Sequence, residues 1–164
     1  GKRRVIKTVK AAPPSVDEAA ESTVRWHREQ SLICPIRKTD VFGRVPEITL
    51  RDGFVFPAGN IFLKYGAQFR DGVGFGFRHI WADHYSHIED HDKAMSHVCQ
   101  EVSSVLTPGT PLFYDNRPGR MNAHRLHMGF VVISLGEGFP ARYSVITAGF
   151  SPANTKGSLV GSLV

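Results

Sequence analysis

The last third of the chain leaves its fold little choice. From residue 110 onward, apolar stretches alternate with turn signals: "TPLFYD" (110–115), the turn "NRPG", "RMNAHRLHM" (120–128), "FVVISL" (130–135), the turn "GEG", and "RYSVITAGF" (142–150). Each stretch has strand length and strand-like composition. The connections are too short for crossover helices, so successive strands are antiparallel neighbours.

Upstream the pattern is helical. In "DHDKAMSHVCQEVSSVL" (90–106), Ala94, Val98, Val102 and Val105 recur at helical spacing, and "TPG" ends the run. Ser15 and Glu18 form a capping box ahead of a helix expected from about Val16 to Ser31. "RHIWADHYSHI" is helical in composition, "NIFLKYG" (60–66) reads as a short strand, and "AQFRDGVGFGF" as glycine-punctuated loop. Pro35, Gly43, Pro46 and Pro57 break residues 34–60 into irregular chain with short extended pieces. The expected class is α+β, with N-terminal helices packed on a C-terminal antiparallel sheet of about four strands.

The 164 residues suit one domain with a substantial core. Residues 1–14 read as a basic linker and 15–164 as a single domain: a helical and irregular entry region over 15–59 and a core over 60–164. No apolar run approaches the ~20 residues of a membrane span, so no stable membrane insertion is expected. The basic N-terminus has no apolar region behind it, so if the protein is exported its signal is expected elsewhere, as on a longer precursor. Lys2, Arg3, Arg4, Lys7 and Lys10 account for the net charge of +5, since the remaining 15 bases match 15 acids. After Asn116, however, Arg117, Arg120, Arg125, Arg142 and Lys156 face one acid, Glu137, with His124 and His127 among them. That local positive surface suits phosphate. Cys34 and Cys99 match no zinc spacing and read as two buried thiols, with a disulfide as the alternative.

"GFGFRHIWADHYSHIEDH" (74–91) holds four of the eight histidines. On one continuous helix, His84, His87 and His91 fall within a ~60° sector and can converge on a metal. Against this, the run lacks an HExxH match, and Asp83, Glu89, Asp90 and Asp92 give it an ordinary polar exterior, with His87 and His91 as solvated surface. His79 follows "GVGFGF", where glycines permit sharp bends and close approach, and a helix start offers free N–H groups.

"GFGFRHIWADH", a following helix, several strands and then "YSVITAGF…KGSLVG" resemble the barnase–EndoU–colicin–RelE group of nucleases. The likeness is strongest to toxin modules of bacterial polymorphic and contact-dependent inhibition systems and of phage-associated proteins. It covers roughly residues 60–162. The resemblance implies His79, His84 and Thr147 as catalytic residues, with an arginine or lysine from an intervening strand. Arg120 and Arg125 are the candidates for that cation, and spacing alone does not choose; they lie five apart, on opposite faces of an extended strand. Arg125 is taken as catalytic, with Arg78, Arg120, His124 and Tyr143 as substrate-binding residues. Tyr143 and Thr147 are expected on one face of their strand.

The implied chemistry is metal-free RNA cleavage without a cofactor, by attack of the ribose 2′-hydroxyl on the adjacent phosphorus. Transfer RNA is the implied substrate and an acidic immunity protein the implied partner. Localisation would be as part of a larger bacterial effector acting in the target-cell cytoplasm. The competing readings are a metal-dependent hydrolase using His84, His87 and His91, and a non-catalytic RNA-binding module whose Phe54, Phe56, Phe75 and Phe77 stack bases or simply pack.

Overall fold

A computed structural model describes residues 25–151 and 156–164. In chain order its elements are β1 (Gly43–Val45), β2 (Ile48–Thr49), β3 (Val55–Phe56), β4 (Gly59–Phe62), β5 (Ala67–Arg70), β6 (Val73–Phe75), α1 (Gly76–His84) and α2 (His91–Val105). β7 (Pro111–Tyr114), β8 (Arg120–Arg125), β9 (Gly129–Leu135), β10 (Arg142–Gly149) and β11 (Ser158–Ser162) follow.

The expected α+β layout is overturned. Seven strands form one curled, half-barrel sheet in the order β1-β4-β10-β9-β8-β7-β11, and the described residues hold two helices, both in the middle of the chain. The four expected C-terminal strands are present as β7 to β10, joined antiparallel. Three further strands extend them: β11 beside β7, and β4 with β1 beyond β10. β4 runs parallel to β10, a pairing between distant segments that no local turn could announce. β5 and β6 form a hairpin where loop was expected.

The expected N-terminal helix lies partly outside the described residues, over 16–24. Its described remainder is not helical. Ser31 bridges Lys64, Gln30 O accepts from Tyr65 N–H, Arg28 O accepts from Gly66 N–H, and Trp26 stacks on Tyr65 with centroids 5.5 Å apart. Pairing with residues 63–66 has overridden helical propensity here.

α2 matches expectation. The Asp90 carboxylate accepts from Lys93 N–H at 2.9 Å, and Ala94, Val98, Val102 and Val105 are all buried. α1 is shorter than the histidine run and stops at His84. Its start is set by two glycines. A Cβ on Gly76 (φ +73°) would lie 2.6 Å from Lys64 O and 3.0 Å from Gly66 Cα. The close approach that these glycines permit is thus made by the chain itself. The N–H groups of Phe77 and Arg78 donate to Lys64 O and Tyr65 O, so these helix-start donors are spent on backbone.

The core fills one face of the sheet. Ile61, Tyr143, Val145, Val131, Ile133, Met121 and Ala123 point into it, and Phe77, Ile80, Trp81, Val98 and Val102 of the helices pack on them. Fully burying each of the larger side chains stabilises the fold by about 1.5–3 kcal/mol. Leu32, Phe42, Val45, Ile48 and Phe56 join the same cluster, so the entry region and the sheet share one core. The sheet's two edges approach each other as it curls: Val164 N–H donates to Arg44 O of β1, and a Cβ on Gly161 of β11 would lie 3.0 Å from Ile48 Cδ1.

Candidate functional site

Strand alternation sorts the candidate residues by face. On β8, Met121, Ala123 and Arg125 share the core side, and Arg120, Asn122 and His124 take the other. The β8–β9–β10 registers then lay out three rows on this polar face. They are Arg120, Ser134 and Ser144; Asn122, Val132 and Thr147; and His124, Phe130 and Gly149.

A β-bulge decides where Thr147 belongs. The register shifts between Val145 and Thr147, so Ile146 is an extra residue. Tyr143 and Val145 therefore point into the core while Thr147 points to the polar face. The expected common face for Tyr143 and Thr147 is not found. Tyr143 is fully buried and donates its hydroxyl to Pro57 O at 2.7 Å, and burial raises its pKa. The Thr147 Oγ1 atom is buried and has no hydrogen-bond partner among the described residues. Such a hydroxyl costs roughly 1–3 kcal/mol.

His84 reaches this face. It is exposed, and a Cβ on Gly149 would lie 3.1 Å from its Cε1. Gly149 shares a face with Thr147 two residues earlier, which puts the imidazole on the threonine's face, roughly 7 Å along β10. A side chain at 149 would crowd the ring and require it to shift by a few tenths of an ångström. His84 also meets Phe130 edge to face at 6.4 Å. His124 lies on the other side of Phe130, with Nε2 3.3 Å from Ser151 O. β8 and β10 flank β9, so the strands carrying His124 and Thr147 lie roughly 10 Å apart.

His79 faces elsewhere. It is 5% exposed, with Nδ1 2.7 Å from Gln68 Oε1 and Nε2 3.4 Å from Asp83 Oδ2, and Gln68 in turn reaches Asp83. Both ring nitrogens are held by neighbours in α1 and β5. Burial pushes its pKa below the ordinary histidine value; Asp83 opposes this and His84 adds to it. His79 and His84 thus leave α1 in different directions.

The remaining candidates also separate. Arg125 is on the core side, donating from Nη1 to Ser104 O near the end of α2 at 2.6 Å, where a cation suits the helix dipole. Arg78 is buried, its guanidinium carbon 6.0 Å from the Tyr65 ring centroid. Arg120 is half-buried on the polar face.

His84, His87 and His91 do not share a helix: α1 ends at His84 and α2 begins at His91. His91 is not solvated surface. Its side chain is 11% exposed and packs against Phe77 and Trp81, with Nε2 2.9 Å from the Tyr65 hydroxyl and Nδ1 2.8 Å from Asp92. His87 is exposed. Among the described residues no group of three or more His, Cys, Asp or Glu is placed to hold a metal ion. Phe56 and Phe77 are fully buried packing residues, and Phe54 meets Phe56 edge to face. Cys34 and Cys99 are free buried thiols, and burial pushes Cys99 up to about 12.

Sequence reasoning missed the neighbours of this face. Asn122 is buried, accepting from Arg117 Nη2 and donating to Asp115, while Arg117 also pairs with Asp115. The Arg117 hydrogen bond holds the Asp115 carboxyl below the usual range. Its charge is thereby offset beside the polar rows. The alternation within "RMNAHR" was the available signal for Asn122.

Comparison with protein-family models, with curated proteins and with solved structures gives no match.

Proposed function

We propose that the protein is a metal-independent endoribonuclease whose site lies on the polar face of β8–β10, with His84, His124, Thr147 and Arg120 as its working residues. The observation that carries this is the unpartnered Thr147 hydroxyl, on the same face as His84 and across one strand from His124. Turning the Thr147 side chain to another staggered rotamer brings this buried hydroxyl to the surface, where a phosphoryl oxygen gives it its missing partner.

One histidine takes the proton of the ribose 2′-hydroxyl, and the freed oxygen attacks the adjacent phosphorus. The other protonates the leaving 5′-oxygen. Histidine serves both roles because it titrates near neutrality. Arg120 and Thr147 stabilise the charge that builds on the phosphoryl oxygens. The products carry a 2′,3′-cyclic phosphate and a 5′-hydroxyl, and DNA is not cut. His79 is a structural residue, tying α1 to β5 through Gln68. Transfer RNA is the proposed substrate and an acidic immunity protein the proposed partner, with delivery to a target-cell cytoplasm inside a larger effector.

The test is incubation of the protein with total tRNA in EDTA. Cleavage is expected, with a bell-shaped pH profile, and alanine at His84 or His124 should lower the rate ~100-fold or more without unfolding the protein. Intact RNA that is cut only after zinc or manganese is added would overturn the metal-free reading.

A further inference from the structure

We propose that Arg142, stacked on Phe62, forms a platform for a nucleobase beside the cleavage site, and this rests on the ribonuclease reading above. The Arg142 guanidinium carbon lies 3.8 Å from the centroid of the Phe62 ring. Phe62 is 5% exposed, whereas Arg142 is exposed. The buried ring therefore backs the guanidinium on its sheet side. The opposite side of the guanidinium remains for a second flat group. Nucleic-acid bases stack on arginine planes in this way, and single-stranded RNA offers them unpaired.

The position fits the same face. Ser144 pairs with Phe62 on one side and with Ser134 on the other, while Thr147 pairs with Val132, two residues along β9 from Ser134. The platform thus lies roughly 7 Å along the sheet from Thr147, and one strand over. Ser144 lies between the platform and Thr147, and Ser134 and Arg120 continue its row across β9 and β8, away from the platform, adding a hydroxyl and a cation that suit a sugar-phosphate backbone. A strand held at Thr147 by its scissile phosphate can pass Ser144 and lay a neighbouring base on Arg142. Arg142 and Phe62 come from segments joined only by the parallel β4–β10 pairing, so nothing local in the sequence brings them together.

Short all-deoxy oligonucleotides, which lack the 2′-hydroxyl and stay uncut, separate this from catalysis. With 2-aminopurine placed at each position in turn, stacking is read as quenched fluorescence on the full chain. Quenching is expected at one position, with Arg142→Ala removing it and weakening binding ~10-fold, within the range for one stacked base. Arg142→Lys keeps the charge but loses the plane, and should lose the quenching too; circular dichroism checks that both variants fold. Uniform quenching, no quenching, or full retention in Arg142→Lys would overturn the platform. An RNA of the same sequence tests the nuclease reading separately. Quenching with uncut RNA removes the nuclease and keeps the platform; cut RNA without quenching does the reverse.

Discussion

The two faces of the seven-stranded sheet are built from alternate residues of the same strands, yet they hold different chemistry. On one face, Tyr143, Val145, Val131, Ile133 and Met121 are sealed under α1 and α2, and Tyr143 has its hydroxyl satisfied internally. On the other, Arg120, Ser134, Ser144, Thr147 and His124 stand in rows, and the Thr147 hydroxyl has no partner among the described residues. The difference shows that neighbours in sequence are poor guides to neighbours in a site. Arg120 and Arg125 differ less in their surroundings along the chain than in the face they occupy.

The comparison breaks most visibly at the arginines. Arg120→Ala should lower RNA cleavage by ~100-fold or more, the scale of losing one charge-stabilising group. Arg125→Ala should cost mainly its bond to Ser104 O, seen as a small fall in melting temperature. If steady-state cleavage falls equally in both, the division by face is wrong.

His79 gives the next largest effect. His79→Ala leaves Gln68 and Asp83 without their partner, which should cost about 1–3 kcal/mol. Activity should fall in proportion to the folded fraction. Because burial lowers the His79 pKa, the unfolded chain binds a proton more readily than the folded one. Its contribution to stability is present above the ordinary histidine value near 6.5 and is lost as pH falls through the lower folded value. Melting curves from pH 8 to pH 5 should therefore fall less steeply in the variant. A folded His79→Ala protein with wild-type stability and a rate lowered ~100-fold would place His79 in the chemistry instead.

Tyr143→Phe is a smaller probe of the sealed face. Losing the bond to Pro57 O should cost about 1 kcal/mol, or roughly 2–4 °C in melting temperature, with cleavage unchanged. A selective rise in KM for RNA would return Tyr143 to the substrate. Smallest is Asp115→Asn. The Asp115 pKa is lowered by Arg117, so its stabilising contribution fades only as pH drops below about 4. Acid titration of the variant should show a shallower loss over that window.

Much of the sheet was legible because β7 to β10 are joined by short turns and carry their own patterns. α2 was legible because its apolar spacing and its stop are local. What escaped depends on distant partners: β4 beside β10, β1 beside β4, and the chain around Ser31 beside Lys64. The proposed site was half legible. "VITAG" drew attention to Thr147, but nothing in those letters announces the extra residue Ile146, which turns Thr147 away from Tyr143. The glycine run was read as room for a substrate, and it proved to be room for Lys64 and Gly66.

The parallel β4–β10 pairing also sets an order of assembly. β4 ends at Phe62 and its partner begins at Arg142, so pairing must close a loop of about 80 residues, at an entropy cost of roughly 4 kcal/mol. β1 pairs only with β4 in this sheet, and Val164 is bonded to Arg44 of β1. During synthesis β1 and β4 can pair with each other early, while the other edge of β4 waits for β10. Such long-range closure makes for slow folding, and until it occurs Ile61 and Val45 lack the neighbours that bury them.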